Sequence, residues 1–491
     1  MAAATATAAA GRGARGTGIA RDASPHERKG GLLAALFPHG RRLAVEAIAI
    51  AGLIALTAFL VYHFTVHKIV NHRPLGGANV NVVDATDNQS QSAFAVDPAN
   101  PRRIVGASND AGLEVVRTYE SRDGGKTWRS GHGPAVPGGS CANGAPSVAV
   151  GGDGREYLAF LASQYCGDSL TPYLVVTSRP VDGGRWSALA RVAPATWKYG
   201  FDDAPSLAID RRSGALYVSW TRGVAKSEAV AAVSKSVDGG RTWTTPTVVS
   251  AALQHPHFVR VAVASDGDVY AAGIDAKIGL WIARSTDGAE TFSRPRAAAP
   301  LLANPSGGCA LTAGDPLPKE LSACEGPDPS LNVGPDRVYL VYGDVGRNQT
   351  PDVEAAVLDR ALEPLFHTQV NPPETSKTQQ FMPASSLDSS SGVLWACWYD
   401  TTFDPNAHRA WFTCSASRDG RRWTPPVRAA SEPTAPTILY GTLGASGLYP
   451  AVVAHDGVAH AFWADGRVIP NEADIFTAAI PQRAAFVQPG T

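Results

Sequence analysis

The segment SRDGGKTW (Ser121 to Trp128) returns later in the chain as SVDGGRTW (Ser236 to Trp243). Both copies fit the pattern Ser-x-Asp-x-Gly-x-Thr-Trp, which suits a hairpin turn. The Asp accepts bonds from backbone amides of its own turn, a Gly takes a positive φ, and the Trp packs under the turn. Three degraded copies are STDGAETF (Ser285 to Phe292), SRDGRRW (Ser417 to Trp423) and VDGGRW (Val181 to Trp186). This recurrence predicts a repeat protein.

Each turn belongs to a longer unit. A short strand such as Pro146 to Val150 comes first, and an apolar strand such as VYLVYGD (Val338 to Asp344) follows it after a turn. A third strand leads into the Asp turn, and a fourth follows it. Seven such units can be counted, so we predict an all-β, seven-bladed β-propeller of four-stranded blades, with six blades as the alternative. As a hypothesis, Val80 to Val83 supplies the outer strand of the last blade and closes the ring.

The composition agrees with a turn-rich β protein. Of the 491 residues, 49 are Gly and 36 are Pro, without a collagen-like period, which excludes a coiled coil or another long-helix protein. The formal net charge of -1 gives no reason to expect a nucleic-acid partner.

The N-terminal part is different. Residues 1–42 are rich in Ala and Gly and carry seven basic side chains, whereas only Lys68 and Arg73 are basic between the following apolar stretch and the first blade. That stretch, Leu43 to Tyr62, is long enough to span a bilayer, and the charge asymmetry places the N-terminus in the cytoplasm. We therefore predict a single-pass protein of the plasma membrane with an extracellular propeller. A cleaved signal peptide is the alternative.

The predicted domain order follows from these two parts of the chain. It comprises a disordered cytoplasmic tail at 1–42, a transmembrane signal-anchor helix at 43–66, a linker with the proposed closing strand at 67–90, and the propeller at 91–491.

All six cysteines follow the predicted span, an even number in an oxidising compartment. Strand directions within a blade bring the first and the last pair together, and the middle two cysteines share the Gly/Pro-rich insertion before the fifth blade. The three predicted disulfides are Cys141 with Cys166, Cys309 with Cys324, and Cys397 with Cys414. No Cys-x-x-Cys spacing occurs, so we predict neither a metal site nor a cofactor.

With these turns the sequence resembles the Asp-box (BNR-repeat) β-propellers, of which sialidases are the best-known enzymes. The resemblance covers the chain from Ser92 to its end. It implies that the box aspartates are structural and lie on the face opposite the active site. Photosystem-assembly propellers and sorting receptors have similar repeats but bind proteins, so the fold leaves the function open. The implied structural residues are Asp123, Asp182, Asp238, Asp287 and Asp419.

Sialidases hold the substrate carboxylate with three arginines and use an Asp acid/base and a Tyr nucleophile activated by Glu. The resemblance makes Arg222, Arg347 and Arg467, all in second-to-third-strand loops, candidates for that clamp. The alternative is three separate surface arginines. The Arg-Ile-Pro segment of sialidases is not found before the first blade. Loop candidates for catalysis are Asp202, Asp203, Glu325, Asp328 and Tyr449, with Asp203, Glu325 and Tyr449 preferred, and a role in starting strands is the alternative.

The second strand ends in Asp in five of the seven units, where the simplest interpretation is a cap for the following turn. The alternative is a ring of carboxylates around the central mouth, with Asp400 and Asp465 binding ligand. Arg222 stands at the same position and departs from the repeat, which makes it a functional candidate. The five aspartates are Asp110, Asp275, Asp344, Asp400 and Asp465.

We therefore expect a membrane-anchored propeller that binds a glycan or protein ligand on the face opposite the Asp boxes. One alternative is a sialidase-like exo-glycosidase that hydrolyses terminal sialic-acid-type sugars. Another is a scaffold for the assembly of membrane or envelope complexes. Whether the protein is an enzyme stays open at this point.

Overall fold

The computed structural model divides the chain into two compact units, Met1–Asn71 and His72–Thr491. Only Leu56 of the first unit is described. The other described residues are 79–83, 88–110, 115–137, 141–163, 172–181, 183–194, 200–225, 228–301, 328–345, 350–375, 378–404, 406, 408–434, 449–467 and 473–486.

Nothing in this described part forms a helix with the length and apolar character needed to cross a bilayer. The predicted tail at 1–42 and the predicted span at 43–66 lie outside it, apart from Leu56. The membrane anchor therefore stays a prediction.

Seven four-stranded antiparallel sheets make up the second unit, which confirms the predicted propeller and its seven blades. Within a blade the strands pair in the order of the chain, except that the outer strand of blade seven precedes blade one in the sequence. Blade one is β2 (Gln89–Asp97), β3 (Asn100–Asp110), β4 (Val115–Ser121) and β5 (Arg129–His132). Blade two is β6 (Cys141–Val150), β7 (Glu156–Ser163), β8 (Tyr173–Arg179) and β9 (Ala190–Arg191). Blade three is β10 (Asp202–Ile209), β11 (Leu216–Ala225), β12 (Glu228–Ser236) and β13 (Thr247–Val248).

The remaining blades follow the same pattern. Blade four is β14 (His257–Val263), β15 (Val269–Asp275), β16 (Gly279–Ser285) and β17 (Arg296–Ala299). Blade five is β18 (Ser330–Val333), β19 (Arg337–Val345), β20 (Pro351–Asp359) and β21 (Pro364–Gln369). Blade six is β22 (Gln380–Asp388), β23 (Val393–Asp400), β24 (Trp411–Ser417) and β25 (Val427–Arg428). Blade seven is β26 (Ala451–His455), β27 (Val458–Asp465), β28 (Asp474–Pro481) and β1 (Val80–Asn81), followed by helix α1 (Gln482–Phe486).

The ring closes as proposed, because β1 is the outer strand of blade seven. Val80 pairs with Thr477 and Asn81 pairs with Phe476. The backbone NH of Val82 donates to Ile475 O at 2.8 Å. The N-terminal end of the propeller is thus bound into its last sheet, which leaves no blade incomplete.

The core lies between the blades. Strand β23 is buried at every residue, because a second strand has a neighbouring blade on both faces of its sheet. The blades of the closure also pack directly, since the rings of Phe94 in blade one and Phe462 in blade seven stack with centroids 3.6 Å apart. This packing of broad apolar strands explains why aromatic and β-branched residues recur in each unit.

The Asp boxes form the hairpins between third and fourth strands, and we call this end of the ring the Asp-box face. Asp123 Oδ1 accepts the amides of Lys126 and Thr127 at 3.0 and 2.9 Å, and its Oδ2 accepts the Thr127 hydroxyl at 2.6 Å. The indole of Trp128 donates to Gly125 O at 3.1 Å. The same bonds to amides of the turn recur at Asp238, Asp287 and Asp419. Asp182 lies outside the described residues.

One predicted disulfide, Cys397–Cys414, is confirmed, and its two cysteines are paired residues of β23 and β24. Cys141 is also disulfide-bonded. Its predicted partner Cys166 lies outside the described residues, as do Cys309 and Cys324.

Candidate functional site

The first strands of the seven blades contact one another in a closed ring, which places them around the axis of the propeller. Their N-terminal ends lie at the end of the ring opposite the Asp boxes. We call this opening the axial mouth. Side chains at the start of these strands are therefore the ones that can meet across the axis.

Five of the first strands start with the same backbone irregularity. A non-glycine residue takes a positive φ of 48 to 52°, and the pairing register with the second strand shifts there. Such bulges re-aim the neighbouring side chains, and a strained backbone is often retained at binding sites. The five residues are Gln91, Ala145, Ala204, Phe258 and Met382.

Two aromatic rings meet at this mouth. Strand register places Asp328 and Tyr449, in blades five and seven, at the position that Phe258 occupies in blade four. The rings of Phe258 and Tyr449 have centroids 6.1 Å apart. Since blades four and seven are not neighbours in the ring, this contact runs across its interior. An aromatic pair thus sits on the axis.

Arg260 lies two residues after Phe258 and forms the main ion pair of the mouth. Its Nη2 is 2.5 Å from Oδ1 and 2.7 Å from Oδ2 of Asp328, and its Nε donates to Pro329 O at 3.3 Å. The two side chains are 22% and 14% exposed. At the equivalent position the other six blades carry only small residues, which are Ala93, Ser147, Ser206, Ser330, Ala384 and Ala451.

In other blades a serine at this position accepts a hydrogen bond from a backbone amide of the next blade. Ser147 Oγ accepts the amide of Leu207 in the next blade at 2.9 Å, and Ser330 Oγ accepts that of Ser385 at 3.1 Å. Arg260 makes a link to the next blade through a charged side chain instead. A guanidinium and a carboxylate at the axis are therefore a departure from the repeat.

Asp203 adds a second carboxylate. Asp203 is exposed, and the charged groups that act on its pKa, His257, Arg260 and Asp328, come from blades four and five. Burial raises the pKa of Asp203, although the Ala204 amide and the charges of His257 and Arg260 oppose that shift. Burial also lowers the pKa of His257. A carboxyl with a raised pKa thus stands near the Arg260–Asp328 ion pair.

Arg260 itself is held in its charged form. Burial would lower its pKa, but the Asp328 carboxylate outweighs burial, and Tyr449 and Asp203 act in the same direction, so that the pKa of Arg260 is raised. These four residues come from blades three, four, five and seven. We call them, together with Phe258, the axial cluster.

The predicted arginine clamp is not assembled from the residues that the structure describes. Arg467 Nη2 pairs with Asp465 at 2.6 Å, and its Nη1 donates to Asn79 Oδ1 at 3.1 Å and Ser431 Oγ at 2.9 Å. It therefore holds the ring closure. Arg222 Nη2 donates to Pro194 O at 2.5 Å, in a cleft beside blade two. Arg347 lies outside the described residues.

Asp400 and Asp465 are both buried and engaged in their own turns. Asp400 Oδ1 accepts the amide of Thr402 at 2.8 Å and the side-chain amide of Gln380 at 3.0 Å. Asp465 accepts the Trp463 indole at 2.7 Å and the Arg467 amide at 3.0 Å. These contacts agree with the turn-cap interpretation and give no sign of a carboxylate ring.

Of the catalytic candidates, Asp203 and Tyr449 reach the axial cluster, together with Asp328. Asp202 points elsewhere, since its carboxylate accepts the Trp220 indole at 2.7 Å and the Leu174 amide at 3.0 Å. Glu325 lies outside the described residues. Sequence reasoning missed Arg260 and Phe258, although a charged residue among small ones at one repeat position was a readable signal.

No group of three or more His, Cys, Asp or Glu side chains within the described ranges is arranged to hold a metal ion. The chemistry of the axial cluster is that of a guanidinium, carboxyl groups and aromatic rings. Such groups fix a ligand by hydrogen bonds and by apolar contact.

Comparison with known proteins gives similarity in fold only. No protein-family model and no curated protein sequence matches the chain. Among solved structures, the GH93 α-L-arabinofuranosidase of Fusarium graminearum is 10% identical with a TM-score of 0.48, over 84% of this chain and 99% of that one. The Hadza microbial sialidase Hz136 is 15% identical with a TM-score of 0.43, over 79% and 75%. The polysaccharide lyase Uly1 is 10% identical with a TM-score of 0.47, over 83% and 93%.

The propeller fold thus resembles those of glycoside hydrolases and a polysaccharide lyase. The Asp-box propeller that the sequence predicts is confirmed by the seven blades and the turns of the structure itself. These similarities assign no activity to the axial cluster.

Proposed function

We propose that the protein binds an uncharged portion of a glycan in the axial mouth. The observation that carries this proposal is the Phe258–Tyr449 pair across the axis, beside the Arg260–Asp328 ion pair. Aromatic faces give apolar contact to the C–H groups of a sugar ring. Guanidinium and carboxyl groups offer donors and acceptors to its hydroxyls.

The preference for an uncharged sugar follows from the charges. Asp328 takes up the guanidinium of Arg260 in a two-oxygen contact, so that arginine does not present a free fork to a ligand carboxylate. Arg222 and Arg467 are engaged away from the mouth. The carboxylate of a sialic-acid-type ligand would be repelled by Asp203 and Asp328. None of the three arginines named above would be free to compensate that repulsion.

The binding test uses the full chain on an array that carries neutral and acidic glycans. We expect retention of neutral glycans, and Phe258→Ala should weaken it about tenfold, or about 1.4 kcal/mol, through the lost ring contact. Phe292→Ala is the matched control, because Phe292 is a half-buried phenylalanine of the same blade in its Asp box. Equal loss in both variants, or retention of acidic glycans only, contradicts the proposal.

A second candidate is glycoside hydrolysis, which the state of Asp203 favours. A carboxyl with a raised pKa that water can reach is suited to protonate a leaving-group oxygen. Aryl glycosides of neutral sugars and of sialic acid are the substrates to compare. With hydrolysis, Asp203→Asn should lower turnover by about 100-fold or more while glycan retention stays. Absence of turnover from about pH 4 to pH 8 leaves binding as the function.

The membrane-anchored location and the scaffold role rest on the sequence alone. If the apolar stretch at 43–66 is an uncleaved anchor, the full chain should stay with membranes through alkaline carbonate washing. Protease added outside intact cells should then digest the propeller or its linker. A soluble chain whose N-terminus begins after residue 66 contradicts the anchor and supports a cleaved signal peptide.

A further inference from the structure

Arg222 is a buried arginine, and one nitrogen of its guanidinium has no hydrogen-bond partner. The residue is 6% exposed and lies on β11, with its guanidinium carbon 6.0 Å from the centre of the Trp220 ring. Its Nη2 donates to Pro194 O, whereas its Nη1 is buried without a hydrogen-bond partner. Arginine keeps its charge at any ordinary pH, and a buried donor without a partner costs free energy. A ligand that accepts a bond from Nη1 would remove that cost.

The Arg222 residue lines a cleft between blades two and three. Tyr173, Arg191, Phe201 and Asp202 line the cleft together with Arg222. Its free volume is about 10 Å³, which is room for about one water-sized group, and it opens to the surface. The cleft can therefore take one oxygen atom of a carboxylate or sulfate group, while the rest of that group and of the ligand stays outside.

Arg191 supplies a second guanidinium at the outer edge of the cleft. It is exposed, and its guanidinium carbon lies 4.4 Å from the centre of the Tyr173 ring. The carboxylate beside these arginines, Asp202, uses its oxygens for the Trp220 indole and the Leu174 amide. Burial raises the pKa of Asp202, although the Leu174 amide, the Trp220 indole and the two arginines oppose that shift. Two arginines and one carboxylate line the cleft, so positive charge exceeds negative charge there.

We propose that this cleft is a binding site for a single oxyanion, the carboxylate or sulfate group of an acidic ligand, with Arg222 Nη1 as the inner donor and Arg191 as the outer one. The site is separate from the axial mouth. Asp202 and Asp203 are adjacent on β10 and point to opposite sides of it, Asp202 to the cleft and Asp203 to the axis. The proposal therefore holds or fails independently of neutral-glycan binding at the mouth.

The test titrates the full chain with sodium glucuronate and with sodium sulfate, following Trp fluorescence and heat at constant ionic strength. Glucose is the neutral probe. We expect saturable binding of at least one of the anions and none of glucose. The replacement Arg222→Gln should weaken it about tenfold or more, and Arg191→Gln several-fold, because each removes one charge-assisted bond.

Arg155→Gln is the matched control. It removes the same charge from an exposed side chain of blade two, outside the cleft. Unchanged anion affinity in this variant, with loss in the two others, supports the site, and whichever anion binds more tightly identifies the group. Absence of saturation by both anions, or equal effects in all three variants, overturns it. If Arg222→Gln fails to fold, the exposed Arg191→Gln decides between these outcomes.

Discussion

Aspartates at the two ends of the ring differ in the direction in which their surroundings shift the pKa of the carboxyl group. On the Asp-box face, the hydroxyl and amide of Thr291 hold the pKa of the exposed Asp287 down at about 2. In the axial mouth, burial raises the pKa of Asp203. The pKa of an aspartate is thus lowered where several donors bind its oxygens and raised where burial is the largest effect. The direction of the shift depends on these surroundings, which the residue type does not reveal.

The two ends also differ in how completely their arginines are compensated. Arg103, on the Asp-box side, is 3.3 Å from Asp97, 2.9 Å from Glu120 and 3.5 Å from Glu156. Arg260, at the mouth, has Asp328 as its close partner. The first arrangement locks blades one and two together. The second leaves ligand-accessible groups around a single ion pair.

The largest effect should come from Arg103→Ala. Removing this arginine, whose side chain is 3% exposed, leaves Asp97 as a buried carboxylate without its arginine, whereas Glu156 keeps Arg179 at 2.8 Å. We expect the free energy of unfolding to fall by about 3–5 kcal/mol. Thermal and denaturant unfolding measure it, and glycan retention by the folded protein should stay the same.

Arg122→Ala is the control for that variant, because Arg122 pairs with the same Glu120 at 3.1 Å but is 54% exposed. An exposed pair contributes at most about 1 kcal/mol. If both variants lost the same free energy of unfolding, the buried ion pairs of Arg103 would add no more stability than an exposed pair.

A moderate effect should follow Asp328→Asn in the mouth. The variant frees the guanidinium of Arg260 from its two-oxygen contact. Affinity for acidic glycans should then rise about tenfold relative to neutral ones, since a free guanidinium binds a carboxylate through paired bonds. Glycan arrays or titration with an acidic and a neutral oligosaccharide measure this ratio.

Asp268→Asn is matched to that change at the other end of the ring. Asp268 pairs with Arg284 and is 13% exposed, against 14% for Asp328. It should leave the ratio unaltered. If both variants shift glycan preference equally, the effect is one of overall charge and the mouth is not the binding site.

The fold was predictable because its signals are local. An Asp box needs its Ser, Asp, Gly and Trp within eight positions, so the repeat reveals the hairpins and their spacing reveals the blades. The closing strand could be proposed because β1 precedes the first unit and the last unit lacks an outer strand. The hairpins and blades depend on residues close in the chain, whereas the closing strand was inferred from the order of the units.

The site was only partly predictable because its residues meet through ring closure. Asp203 and Tyr449 were candidates as residues just before a first strand, but nothing local shows that Tyr449 meets Phe258. The prediction for Arg467 as part of a clamp differs from the structure for the same reason. Its partner Asn79 comes from the closing segment at the other end of the chain.

The smallest effects should appear in the pH dependence of stability, with opposite sign at the two ends. Asp287 has a lowered pKa, so its contribution is present above the unfolded value of about 4 and is lost as the pH falls towards about 2. Asp203 has a raised pKa, so the folded protein holds the proton more tightly, and stability falls as the pH rises above about 4.

Asp287→Asn should therefore flatten the loss of stability below about pH 4, whereas Asp203→Asn should raise stability only above about pH 4. Each effect should stay below about 1 kcal/mol, because solvent screens both exposed carboxyls. Unfolding midpoints from about pH 2 to pH 8 measure the two slopes. Slopes that change in the same direction in both variants would mean that enclosure at the mouth does not act on Asp203, and its role as a proton donor would lose its physical basis.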